Sequence, residues 1–132
     1  MKSYKDLPRE VVLNAPDGAM WISYYGEFYK FVCGAMFVFQ NEWVRTADHK
    51  LSNWTHCDEP LIPLPNVKIP WEATEDSVCP VPDDCFVLIW FNNNPSPYGD
   101  ARKAMLVRWL KRDGDHNITS YRIINAYMSA SL

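Results

Sequence analysis

Short apolar runs alternate with polar turn residues along most of the chain, and the runs have the length of strands. Residues 20–25 and 28–32 are rich in aromatic and β-branched side chains, and Gly26 and Glu27 separate the two runs. Such residues favour extended backbone and glycine favours a tight turn, so this segment predicts a β-hairpin. The same pattern predicts further strands at residues 11–13, 36–39, 43–45, 85–91 and 119–124.

The pattern of residues 101–112 is compatible with either a short helix or a strand. Their apolar centre suits a short helix by propensity, but it equally suits a strand that pairs with the predicted strands on either side. We favour the strand.

Proline divides the chain. Six of the ten prolines fall close together in the middle: Pro60, Pro63, Pro65, Pro70, Pro80 and Pro82. Proline fixes φ and extends the residue before it, which predicts an extended connector over residues 58–84. The predicted fold is therefore mainly β or α+β, with two small antiparallel β modules, 1–57 and 85–132, joined by this proline-rich connector.

Composition narrows the class of protein. The chain has 132 residues, of which 14% are aromatic, and its formal net charge is −3. An acidic chain of this size does not coat nucleic acid through bulk positive charge, although its net negative charge is compatible with a local basic patch. We find no secretory signal and no apolar run long enough for a membrane helix, which predicts a cytoplasmic protein without a membrane partner.

Catalytic and metal-binding patterns are missing from the sequence. The four cysteines, Cys33, Cys57, Cys79 and Cys85, are not spaced as in zinc motifs, and we interpret them as reduced thiols while leaving open whether one of them binds a metal. The three histidines lie in polar segments without a recognisable nucleophile nearby. We therefore predict no enzyme activity and no cofactor.

Two groups of residues are candidates for interaction. The aromatic hairpin contains Trp21, Tyr24 and Tyr25, which would suit a protein interface or a homodimer if they are exposed. The second group is a basic stretch around one tryptophan, which would suit phosphate contacts and base stacking unless its charges only solvate the surface. Its members are Arg102, Lys103, Arg108, Trp109 and Lys111.

Several segments resemble small modules of uncharacterised bacteriophage and prophage proteins. They are residues 79–84, the pair Ala104 and Trp109, residues 117–124, and the N-terminal residues 15–19 with the strands that close at Trp43. The loop at 92–100 departs from that pattern. The resemblance implies a phage accessory protein in the host cytoplasm. We expect it to bind and modulate or inhibit a host protein, with defence systems among the candidates and nucleic-acid binding as the alternative.

Overall fold

The part of the chain that the structure describes includes nine strands, one short α-helix and one 3-10 helix whose bounds are defined. The structure is a computed structural model, and it describes residues 7–23, 25–46, 51, 61–82, 85–92, 99–111 and 117–124. Helix α1 spans Arg9–Leu13, and a 3-10 helix spans Ala104–Leu106. The strands are β1 Trp21–Ile22, β2 Phe28–Val32, β3 Ala35–Phe39, β4 Trp43–Arg45, β5 Ile62–Pro63, β6 Ile69–Pro70, β7 Phe86–Phe91, β8 Asp100–Lys103 and β9 Ile118–Ile123.

The strands form two antiparallel sheets, which confirms the predicted fold class. The first sheet has the order β4-β3-β2-β1-β5, and the second has the order β6-β9-β7-β8. The predicted hairpin is present, with Trp21 opposite Tyr29 and Ile22 opposite Phe28. Strand β7 is central in the second sheet, where it pairs with β8 on one side and β9 on the other.

The connector contributes a strand to each sheet. Strand β5 pairs with β1, and β6 pairs with β9. Each of these strands contains a proline, Pro63 or Pro70, and lies at the edge of its sheet, where a missing N–H is tolerated. Between the strands, the Leu64 N–H donates to the Met20 carbonyl at 2.8 Å and the Asn66 N–H donates to the Ile123 carbonyl at 2.9 Å. The connector is therefore hydrogen-bonded to both sheets.

One buried cluster joins both sheets and the connector. It includes Met36 of β3, Leu64 of the connector and Ile89 of β7. At its centre the rings of Trp71, Trp109 and Tyr121 meet edge to face, with centroids 5.2 to 5.8 Å apart. Both indole N–H groups are satisfied, since Trp71 Nε1 donates to the Trp109 carbonyl and Trp109 Nε1 donates to the Ala104 carbonyl, each at 3.2 Å.

Two local predictions need correction. Residues 11–13 belong to helix α1, because the N–H groups of Val11 and Val12 donate to the Pro8 carbonyl and thereby close a helical turn. In residues 101–112 the strand ends at Lys103, and it pairs with β7 alone among the described strands. The 3-10 helix follows it directly.

Candidate interaction surface

The aromatic residues of the hairpin are divided between the core and the solvent. Trp21 is only 2% exposed, because β1 lies between β2 and β5 and its side chain faces the buried cluster. This placement corrects the interface role that the sequence suggested for Trp21, including its place in a homodimer contact. Tyr25 is 87% exposed. Tyr24 lies outside the described residues.

Tyr25 is held at the tip of the hairpin by a hydrogen-bonded turn. The Ser23 hydroxyl oxygen accepts the N–H groups of Tyr25 at 3.3 Å and of Glu27 at 3.2 Å. The Gly26 N–H donates to the Ser23 carbonyl at 3.0 Å, and Gly26 has a φ of +85°, which glycine adopts without strain. The turn therefore presents the Tyr25 ring to solvent.

The predicted basic stretch does not form one surface. Arg102 and Lys103 are neighbours on strand β8, so their side chains point to opposite faces of the sheet. The Arg102 guanidinium carbon lies 5.6 Å from the Phe91 ring centroid, whereas Lys103 Nζ lies 5.8 Å from that of Phe86. Arg108 and Lys111 are exposed beyond the 3-10 helix.

The aromatic residues near the basic stretch are in the core. Trp109 is 4% exposed, and Tyr121 is buried beside it. Neither ring has a free face for a nucleic-acid base, because each already packs against the other and against Trp71. This placement corrects the interaction role that the sequence suggested for Trp109.

An exposed apolar surface lies on the outward face of the second sheet. The register of β7 with its two neighbours places Phe86 between Lys103 and Ile124, and Leu88 between Ala101 and Arg122. We call the four apolar members the apolar face: Phe86, Leu88, Ala101 and Ile124. Phe86 is 51% exposed and Ile124 is 42% exposed.

The chain continues from this surface into further exposed apolar residues. Met105 and Leu106 of the 3-10 helix follow β8 directly, and Leu106 is 71% exposed. Lys103 and Arg122 are exposed cations on either side of the apolar face. The surface thus combines an apolar centre with a cationic rim, although the whole chain is acidic.

A second aromatic cluster lies on the first sheet, and sequence reasoning did not identify it. Lys30 Nζ lies 4.5 Å from the Trp43 ring centroid and 5.6 Å from that of Phe37, and Phe39 meets Trp43 edge to face with ring centroids 5.2 Å apart. These four side chains share one face, because Lys30 pairs with Phe37 and Phe39 with Trp43. The alternation of Phe37 and Phe39 along the sequence indicates that they share a face but not that a lysine covers the rings.

The described cysteines are dispersed thiols. Cys33 is exposed in the β2–β3 turn, Cys85 is buried, and the half-buried Cys79 donates its S–H to the Val81 carbonyl at 3.1 Å. No group of three potential metal ligands occurs among the residues that the structure describes. Cys57 and the three histidines lie outside those residues. The described part of the chain also contains no helix with the length and apolarity needed to span a membrane.

Comparison of the chain with family models, curated proteins and solved structures gives no match.

Proposed function

We propose that this protein is a non-enzymatic accessory protein that binds a partner protein and modulates or inhibits it. The observation that carries the proposal is the exposed apolar face, together with the exposed Met105 and Leu106 that follow β8 in the chain. Protein interfaces place apolar and aromatic side chains at their centre and charges at their rim, and this surface has that arrangement.

The resemblance to phage modules supports a host protein as the partner and the host cytoplasm as the location. Phage accessory proteins commonly act on host machinery, so components of a defence system are among the proposed targets. If the partner is instead a phage protein, we expect it to bind the same surface. Such a partner would be captured from infected-cell lysate and not from the lysate of uninfected host cells.

The test is capture from host and infected-cell lysates by the wild-type protein and by matched surface variants. The double variant Phe86→Ser/Leu106→Ser removes two apolar contacts of the proposed surface. The control, Leu13→Ser/Val78→Ser, removes two apolar side chains of similar exposure elsewhere. We expect one stoichiometric protein to bind the wild type and the control and to be lost from the first variant, with unchanged circular dichroism spectra. Equal recovery by both variants would contradict the proposal.

Nucleic-acid binding remains the second candidate, because Arg102, Lys103, Arg108 and Lys111 are all exposed. It loses support from the burial of Trp109 and from the opposite directions of Arg102 and Lys103. Titration of a fluorescent single strand and a duplex at increasing salt tests it directly, since phosphate contacts release counterions. Binding that weakens steeply with salt and is reduced by Arg108→Ala/Lys111→Ala would favour this alternative.

A further inference from the structure

Strand β8 is an edge strand of the second sheet as far as the described strands show, and its Ala101 belongs to the apolar face. It pairs with β7 on one side, and no other described strand pairs with it. The strands that the connector adds, β5 and β6, contain Pro63 and Pro70, whereas residues 100–103 contain no proline. A sheet edge without proline can accept a further strand through its backbone.

The hydrogen-bond register identifies the backbone groups that face outward. The Ala104 N–H donates to the Cys85 carbonyl at 2.8 Å, and these two residues are opposite each other in the register of β8 with β7. In an antiparallel ladder the bonded pairs alternate, so Arg102 and Asp100 also direct their backbone groups toward β7. Ala101 and Lys103 therefore direct one N–H and one carbonyl each away from the sheet.

Charge indicates what kind of strand this edge would accept. Lys103 on one face and Arg102 on the other would flank a strand added at this edge. The Asp100 carboxylate is the acidic group of β8, and it lies 3.8 Å from the Arg102 guanidinium. A segment with carboxylates opposite these cations is complementary to the edge, and a basic segment is repelled.

We propose that β8 accepts an extended acidic segment of the partner protein, which becomes a fifth strand of the second sheet. This inference rests on the proposed function and specifies the chemistry of the partner. Its backbone bonds to Ala101 and Lys103, and its alternate side chains extend the outer face beside Ala101 and Lys103 of β8. Carboxylates on the outer face of the segment lie against Lys103, and carboxylates on its other face lie against Arg102, so a segment with glutamate at alternate positions meets one of these two cations.

Hydrogen exchange with a defined peptide tests the binding mode. The probe is an acetylated and amidated peptide of alternating glutamate and valine, and its counterpart alternates lysine and valine. We expect the acidic peptide to slow amide exchange of Ala101 and Lys103 about tenfold, because one backbone hydrogen bond is worth about that factor. The basic peptide should leave both amides unchanged. Equal effects of the two peptides, or no protection at either amide, would overturn the proposal.

A proline substitution tests the contribution of the β8 edge to binding separately from that of the apolar side chains. Ala101→Pro removes an N–H that faces away from β7 and preserves the β7 ladder, and Ala101→Ser is its matched control with the N–H retained. We expect Ala101→Pro to abolish the slowed exchange of Lys103 and to weaken binding of the captured partner about tenfold, while Ala101→Ser changes neither. Full retention of the partner by Ala101→Pro would overturn the edge proposal. The proposed function would survive that result if Phe86→Ser/Leu106→Ser still lost the partner.

Discussion

Tyr121 lies in the aromatic centre of the core, where its hydroxyl is removed from water. Burial raises the pKa of Tyr121 far above its ordinary value, and the charge of Cys79 adds to this effect. The folded protein therefore retains a proton that the unfolded chain releases above about pH 10. The contribution of this tyrosine to stability is complete below that pH and declines as the pH rises toward the folded-state value.

We predict that Tyr121→Phe makes the free energy of unfolding less dependent on pH between about pH 10 and 11. The wild type should lose about 1 kcal/mol from this group across that range, because the unfolded tyrosine is only partly ionised near pH 10, and the variant should lack this component. Some slope remains in the variant, because burial and Glu27 also raise the pKa of Tyr29. Urea denaturation at a series of pH values measures the effect, with Tyr25→Phe as the exposed control. Parallel curves for Tyr121→Phe and the wild type would contradict the prediction.

Single residue types predict exposure poorly in this chain. Trp21 and Tyr25 lie four positions apart in the same aromatic run, yet one is in the core and the other is almost fully exposed. Gly26 indicates the turn that exposes Tyr25, and the sequence therefore contains that information. For Trp21 the decisive factor is which sheet face is covered by distant residues, which local pattern does not specify. Trp109 lies outside the strands and is buried because the distant Trp71 and Tyr121 pack against it.

At the scale of elements, the loop into β8 depends on a glycine beside a tryptophan. Gly99 has a φ of +70°, and a Cβ atom built on it would lie 3.0 Å from Trp90 Cε2 and 3.2 Å from the Ile89 carbonyl oxygen. Gly26 has a similar φ of +85° but nothing within 4 Å of such a Cβ atom. Both positions therefore require a positive φ, but only at Gly99 would an added Cβ atom be crowded by neighbouring atoms.

We predict that Gly99→Ala lowers the free energy of unfolding more than Gly26→Ala does. Left-handed backbone alone should cost Gly26→Ala about 1 kcal/mol, and the added crowding should bring Gly99→Ala to about 2 to 4 kcal/mol. Chemical denaturation of the two variants at neutral pH measures the difference. Equal losses would mean that the Trp90 ring and the β7 backbone move aside without cost.

Most strands follow from local pattern, and the exceptions have physical reasons. The boundaries of β4 at Trp43–Arg45 match the prediction, and those of β7 and β9 differ by one residue at each shifted end. Helix α1 was not predicted because its Val-Val-Leu sequence favours strands. None of the described strands pairs with it, and the Val11 N–H donates to the Pro8 carbonyl while the Asn14 N–H at its C-terminal end donates to the Glu10 carbonyl. Strands β5 and β6 of the connector were not predicted, because proline indicates extended backbone but does not show whether that backbone pairs with a sheet.

At the scale of the whole molecule, the connector makes the two sheets depend on each other. It contributes an edge strand to each sheet and a buried side chain, Leu64, to their common core. The Leu64 N–H also donates to the Met20 carbonyl next to β1. Sequence pattern predicts two sheets and a segment between them, but their common core arises from long-range packing.

We predict that Leu64→Ala destabilises both sheets equally. Removing this buried side chain should cost about 2 to 5 kcal/mol, and because the core is shared, exchange protection should fall by the same factor at Val38 in β3 and Val87 in β7. Val78→Ala is the control within the same connector, since Val78 is 59% exposed and its loss should cost less than about 0.5 kcal/mol. Native-state hydrogen exchange measures both amides in one sample. A loss of protection confined to one sheet would show that the sheets unfold independently and that the connector only links them.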